Sequence, residues 1–170
     1  RQVSALGGVT DQLLTLTHLA AKGDESYVAQ LNALVQRHYE LINQVIDDSK
    51  RSPLLQRVDT LLDELRSILH GVCLIQDLTP KTSDAIVAYG ERISSEIVAQ
   101  LITGATHYDS RKFIKTEHKS DKHLVDFNAT NKLVKQTFAS FSKGVAVMGG
   151  FIAQDVENGR TTNLGRGGSD

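Results

Sequence analysis

Residues 159–170 read Gly-Arg-Thr-Thr-Asn-Leu-Gly-Arg-Gly-Gly-Ser-Asp. Four glycines within ten residues, interleaved with arginine, hydroxyl and carboxylate side chains, do not describe a packed core. They describe backbone that comes close to something charged. Glycine allows positive φ and close approach, and successive free N–H groups at Gly165, Gly167 and Gly168 would form an anion nest. Arg166 offers a planar fork for a carboxylate or phosphate, Ser169 a hydroxyl, and Asp170 a carboxylate for a cationic group. A flexible linker is the competing reading of the same composition.

Two further segments share this character. Val3-Ser4-Ala5-Leu6-Gly7-Gly8-Val9-Thr10 reads as a strand end, a glycine turn and a helix N-terminus, where hydroxyls and free N–H groups suit an anion. An ordinary strand-to-helix turn with a threonine cap would look the same. Gly90-Glu91-Arg92, followed by Ser94 and Ser95, falls inside a helical pattern. A glycine there costs about 1 kcal/mol against alanine, so another backbone or a ligand must come close. Glu91 could bind an ammonium group, or could be a solvated glutamate. The six histidines show no metal-ligand spacing, and His118 and His123 lie in the charged run 115–123, expected to be a solvated loop. No metal ligand is assigned.

The chain that positions these groups has 170 residues, enough for one domain with a sizeable core. Nineteen basic residues against twenty acidic ones leave no surplus for nucleic acid, and no polybasic run suits a membrane surface. The one cysteine, Cys73, sits in an apolar run and excludes a disulfide framework. There is no apolar stretch of membrane-spanning length. A reducing, cytoplasmic setting is expected. The absence of an initial methionine and the stop inside the glycine-rich run point to a piece of a larger protein.

Periodicity predicts helices over 9–22, capped at Thr10 or Asp11 and stopped by Gly23, and from Asp24 along Leu31, Leu34, Val35, His38 and Ile42. Ser52-Pro53 is expected to punctuate before a helix through Leu54–Leu69 that stops at Gly71. Thr79-Pro80 opens a helix running to Gly104. Short strands are expected at 105–109 and 113–116, a helix over 129–141 capped by Asn128, a buried strand over 144–152, a turn at 155–159 and a strand at 161–164. Helices alternating with strands that end in glycine turns indicate an α/β sheet with its ligand site at those ends. The runner-up is a helical interaction module with a disordered tail.

The segments 3–10, Tyr-Gly-Glu-Arg-Ile-Ser-Ser at 89–95, Tyr-Asp-Ser-Arg at 108–111 and Gly-Gly-Phe-Ile through Asp170 together resemble aspartokinases, of the amino-acid kinase superfamily, in the family's order. Leu69-His70-Gly71 and its surroundings look most like enzymes fused to homoserine dehydrogenase. Acetylglutamate, glutamate and carbamate kinases share the superfamily but not these motifs. The resemblance implies a three-layer α/β fold, a central mainly parallel sheet with helices on both faces, with residues 1–170 a partial kinase domain truncated at both ends. It implies ATP- and Mg²⁺-dependent phosphorylation of the L-aspartate β-carboxylate, at the entry to lysine, threonine and methionine biosynthesis, in a homo-oligomeric parent that uses neither nucleic acid nor membrane.

By family pattern, Arg166 would grip a substrate carboxylate and Glu91 the α-ammonium. Ser4, Thr10, Phe151 and Ser169 would shape the pocket, with Gly165, Gly167 and Gly168 as the phosphate loop and Asp170 toward the phosphates as the catalytic carboxylate. The family's opening lysine strand precedes Arg1, so the segment by itself is expected to be inactive and to hold no ATP. If Arg166 grips a carboxylate, Arg166→Ala in the full-length protein raises the aspartate KM. A charge-assisted bidentate pair contributes roughly 1.5–3 kcal/mol, or about 10- to 150-fold. An unchanged KM would assign the arginine to the phosphates or the fold.

Overall fold

The computed structural model describes residues 1–119 and 122–164. The chain enters as β1 (Gln2–Val3), turns through Gly7-Gly8 and continues as α1 (Val9–Ala21). Gly8, at φ 78°, occupies the cap position. The cap expected at Thr10 or Asp11 therefore lies upstream, and those residues fall in the first turn, where Asp11 faces the positive end of the helix. Gly23, at φ 71°, ends the helix as its position suggested.

Helices α2 (Tyr27–Val45) and α3 (Asp48–Ile75) form a hairpin. Leu31, Leu34, Val35, His38 and Ile42 on α2 and Leu54, Val58, Leu62, Leu65, Leu69 and Val72 on α3 are buried. Pro53 and Gly71 do not interrupt α3, contrary to expectation. Proline forfeits one backbone hydrogen bond close to the helix start, and the glycine costs about 1 kcal/mol. Each Leu or Val kept in the core contributes about 1.5–3 kcal/mol, so the continuous apolar stripe prevails.

Thr79 caps α4 (Pro80–Val87) by accepting from the Thr82 N–H at 3.2 Å, with proline at the first helical position. The single helix expected over 80–104 is divided at Ala88, and α5 spans Tyr89–Leu101. Gly90 thus stands in the first turn of α5.

The strands form two sheets where one was expected. β2 (Ala105–Tyr108) and β5 (Val145–Gly149) join β1 in a parallel sheet of order β1-β5-β2, with β5 central. Met148 is in register with both Gln2 and Tyr108, so the three strands end at one level. On β2, His107 faces α5 through Ser95, while Tyr108 points the other way onto Phe138, which ends α6 (Phe127–Thr137). Asp126 caps α6 through the Ala129 N–H, in place of Asn128.

The second sheet holds β3 (Lys115–Lys119), β4 (Lys122–Val125), β6 (Ile152–Asp155) and β7 (Thr161–Asn163) in the order β4-β3-β6-β7. Where a charged loop was expected at 115–123, β3 and β4 pair antiparallel, with His118 opposite His123. Its inward Thr116 is fully buried and meets Thr162 at 2.8 Å while the charges keep to the outer side. The strand expected through Ile152 breaks at Phe151, whose φ is 67°. Its two halves serve different sheets. Among the described residues no helix is long and apolar enough to cross a membrane.

His38 is fully buried, with Nδ1 2.8 Å from the Leu34 carbonyl and Nε2 unpartnered among the described residues. Burial lowers its pKa below the ordinary 6.5, against a smaller raising effect of the Leu34 carbonyl. A depressed folded-state pKa gives stability that is present above the unfolded value and lost as pH falls through the folded one. Wild type is therefore expected to lose more thermal stability than His38→Leu between pH 7.5 and 5. Parallel shifts of the two melting temperatures would contradict this.

Candidate functional site

The C-terminal ends of β1 and β5 open into a cavity of about 680 Å³. Such ends are where open α/β sheets bind ligands. Ser4, the Gly7-Gly8 turn and Thr10 form one side, Glu91 and Asp84 another, and Phe151 and Asn163 close it. Ser4, Thr10, Glu91 and Phe151, singled out in the sequence, thus line one cavity. Arg166, Ser169, Asp170, Gly165, Gly167 and Gly168 lie outside the described residues.

The first turn of α5 sets the geometry. A Cβ on Gly90 would lie 2.8 Å from the Ala5 Cβ, so the glycine is explained by contact with the β1–α1 turn and not by a ligand. Ser94, one turn on, donates its hydroxyl to the Ser4 carbonyl and ties the same turn to the helix. From α2, Arg37 donates to the Gly7 carbonyl at 2.9 Å.

Between Gly90 and Ser94, Glu91 is 5% exposed. The solvated alternative is excluded. Burial pushes its carboxyl pKa above the ordinary value, and nearby backbone N–H groups, Ala5 among them, offset only part of this. Its Oε2 is buried with no hydrogen-bond partner among the described residues. Asp84 is also raised by burial, partly countered by donation from Asn163.

Arg92, next along, turns away from the cavity, stacking 4.4 Å over the Tyr89 ring and reaching Glu64 at 3.3 Å. Beyond it the structure assembles a chain of polar contacts between residues that no sequence motif links. Ser95 Oγ lies 2.9 Å from His107 Nε2, His107 Nδ1 lies 3.2 Å from Glu96, and Glu96 accepts from Arg57 at 3.0 Å. Burial would raise the Glu96 pKa, but His107 and Arg57 hold it below the ordinary value. The chain fastens α5 to β2 and α3. Tyr-Asp-Ser-Arg also acts structurally: Asp109 takes Arg111 bidentately, at 2.7 and 3.0 Å, and Arg111 reaches Thr161. Among the described residues no cluster of His, Cys, Asp or Glu is built to hold a metal.

Asp84 and Asn163 were missed as site residues. Asp84 sits in an amphipathic helix that reads as solvated, and Asn163 in a run whose chemistry drew attention to Arg166 and Asp170.

No family model matches the chain. It is 28% identical to the chloroplastic bifunctional aspartokinase/homoserine dehydrogenase 1 of Arabidopsis thaliana, over 99% of its own length and 19% of that enzyme's. It is 26% identical to lysine-sensitive aspartokinase 3 of Escherichia coli, over 99% of its length and 37% of that protein's. Its relatives are aspartokinases. The fold agrees: E. coli aspartokinase III, solved in complex with lysine and aspartate, superposes with a TM-score of 0.84 at 24% identity, covering 99% of this chain and 37% of that one. The chain thus has an amino-acid-kinase fold and spans 19% to 37% of the length of these relatives.

A raised carboxyl pKa gives stability that is complete below the unfolded value and lost as pH rises through the folded one. At neutral pH an unliganded Glu91 therefore costs stability. Glu91→Gln is expected to raise the melting temperature at pH 7.5 by roughly 2–4 °C, for an offset of about 1 kcal/mol, and to gain less near pH 4.5. A variant less stable than wild type at pH 7.5 would show that the carboxylate is already satisfied.

Proposed function

We propose that this chain is part of the catalytic domain of an aspartate kinase, which transfers the γ-phosphoryl group of ATP to the β-carboxylate of L-aspartate and yields 4-phospho-L-aspartate. The observation that carries the reading is the buried Glu91 carboxylate, its Oε2 without a hydrogen-bond partner among the described residues, in a cavity edged by Ser4, Thr10 and the Gly7-Gly8 turn. A buried acceptor of this kind asks for a donor. The α-ammonium of an amino acid supplies charge and N–H groups together.

Ser4 and Thr10 would orient the carboxylates, and Phe151 would limit the depth of the cavity. The carboxylate grip itself falls to Arg166, by resemblance. Phosphoryl transfer to a carboxylate needs no covalent nucleophile from the protein. It needs the acceptor oxygen held in line and the charge neutralised. Mg²⁺ accompanies ATP as counter-charge, and no described residue is assigned to it. Relatives include enzymes named with and without a homoserine dehydrogenase activity, and the proposal covers the kinase portion alone.

The test is an ADP-release assay on the full-length protein that carries this segment, with hydroxylamine present to trap acyl phosphate. ADP release and hydroxamate are expected with L-aspartate, and neither with L-glutamate. Glu91→Gln should raise the aspartate KM about tenfold or more, as expected for a lost hydrogen bond to a charged group. Turnover that does not depend on aspartate would overturn the reading.

A further inference from the structure

We propose that Asn163 is a second acceptor for the ligand's ammonium group, facing it together with Glu91 and setting selectivity for an amino acid over its deaminated analogue. This rests on the reading of the cavity as an aspartate site. Asn163 closes β7 opposite Ile152, beside Phe151, whose carbonyl accepts from the Leu164 N–H at 2.8 Å. Its amide nitrogen donates to the Asp84 carbonyl at 3.2 Å and to the Asp84 carboxylate at 3.1 Å. Both partners on that side are acceptors, so the amide is oriented by chemistry, nitrogen toward Asp84 and oxygen away from it.

That oxygen is buried without a partner. Five buried side-chain polar atoms are so placed among the described residues: His38 Nε2, Arg51 Nε, His123 Nδ1, Glu91 Oε2 and Asn163 Oδ1. The only two oxygens among them belong to residues lining this cavity. The charged residues among its described lining, Asp11, Asp84 and Glu91, are all acidic. Two acceptors in want of donors, within an acidic lining, suit a primary ammonium, which carries three N–H donors and a positive charge. By fixing the amide, Asp84 acts as the positioning residue for this contact.

Asn163→Val and Asn163→Thr separate the contact from the fold. The two replacements share a shape and suit a strand, but only threonine keeps an acceptor. Calorimetric titration of the full chain with L-aspartate and with succinate, which lacks the ammonium, is paired with thermal melts. Asn163→Val is expected to weaken aspartate binding about tenfold or more and to leave succinate binding as in wild type. Asn163→Thr should fall between wild type and the valine variant, with melting temperatures of the two variants alike. Unchanged aspartate affinity in Asn163→Val would overturn the inference and leave the aspartate reading standing. So would an equal loss for both ligands that follows the melting temperature, which marks a structural role. Wild type that binds no aspartate would remove the aspartate reading and this inference with it.

Discussion

The contact between the start of α5 and the β1–α1 turn governs the cavity. Because residue 90 has no side chain, the helix approaches Ala5 closely enough for Glu91 to be lifted out of water and for Ser94 to reach the Ser4 carbonyl. Any larger residue at 90 would have to displace the turn, since its Cβ would stand 2.8 Å from that of Ala5. Gly149 extends the constraint to the sheet, where a Cβ would lie 3.1 Å from the Glu91 Cβ. Helix, turn and central strand are thus fitted to one another at positions without side chains, and the cavity lies where they meet.

The fit has an electrostatic consequence. A carboxylate removed from water without a cation beside it is destabilising, and a fold optimised only for stability would place glutamine or leucine there. Elsewhere the protein satisfies its half-buried carboxylates. Glu96 has Arg57 and His107, and Asp109 has Arg111, and both are held below their ordinary pKa. Glu91 and Asp84 are instead raised, and they share one cavity. Such a division between acids held low by cationic partners and acids left raised by burial is how perturbed carboxyls mark a binding site.

How far the sequence disclosed this depended on the range of the interaction. Thr79-Pro80 and Gly23 act within one turn of backbone, and the structure honours both. Pro53 and Gly71 carry the same local signal, and there the long apolar stripe of α3 overrides it. The strand expected at 113–116 covers Thr116, but its continuation to Lys119 and the strand that holds His123 were hidden in a charged run. The reason is that β3 is held in the sheet by pairing with β6 and by the Thr116–Thr162 contact, distant in the chain, and β4 pairs in turn with β3. Glu91 was legible through its glycine neighbour. Asn163 was not, because its importance comes from Asp84, on an element that nothing in the sequence brings near it.

The α2–α3 hairpin bears on the same cavity from behind. Arg37 holds the Gly7 carbonyl, and Arg57, through Glu96 and His107, holds α5 against β2, so each wall has an anchor in the hairpin. The Glu96 side chain is only 14% exposed, and in such surroundings a charge-assisted contact is stronger than on a fully solvated face. The apolar side of the hairpin is meanwhile occupied by α1 and α5, with Leu62, Leu65 and Leu69 in one core with Leu13, Leu16 and Ile93. A helical module built to capture a partner would keep that face free. Here it is used to hold two helices, one bearing Thr10 and the other Glu91, at a fixed separation across the cavity.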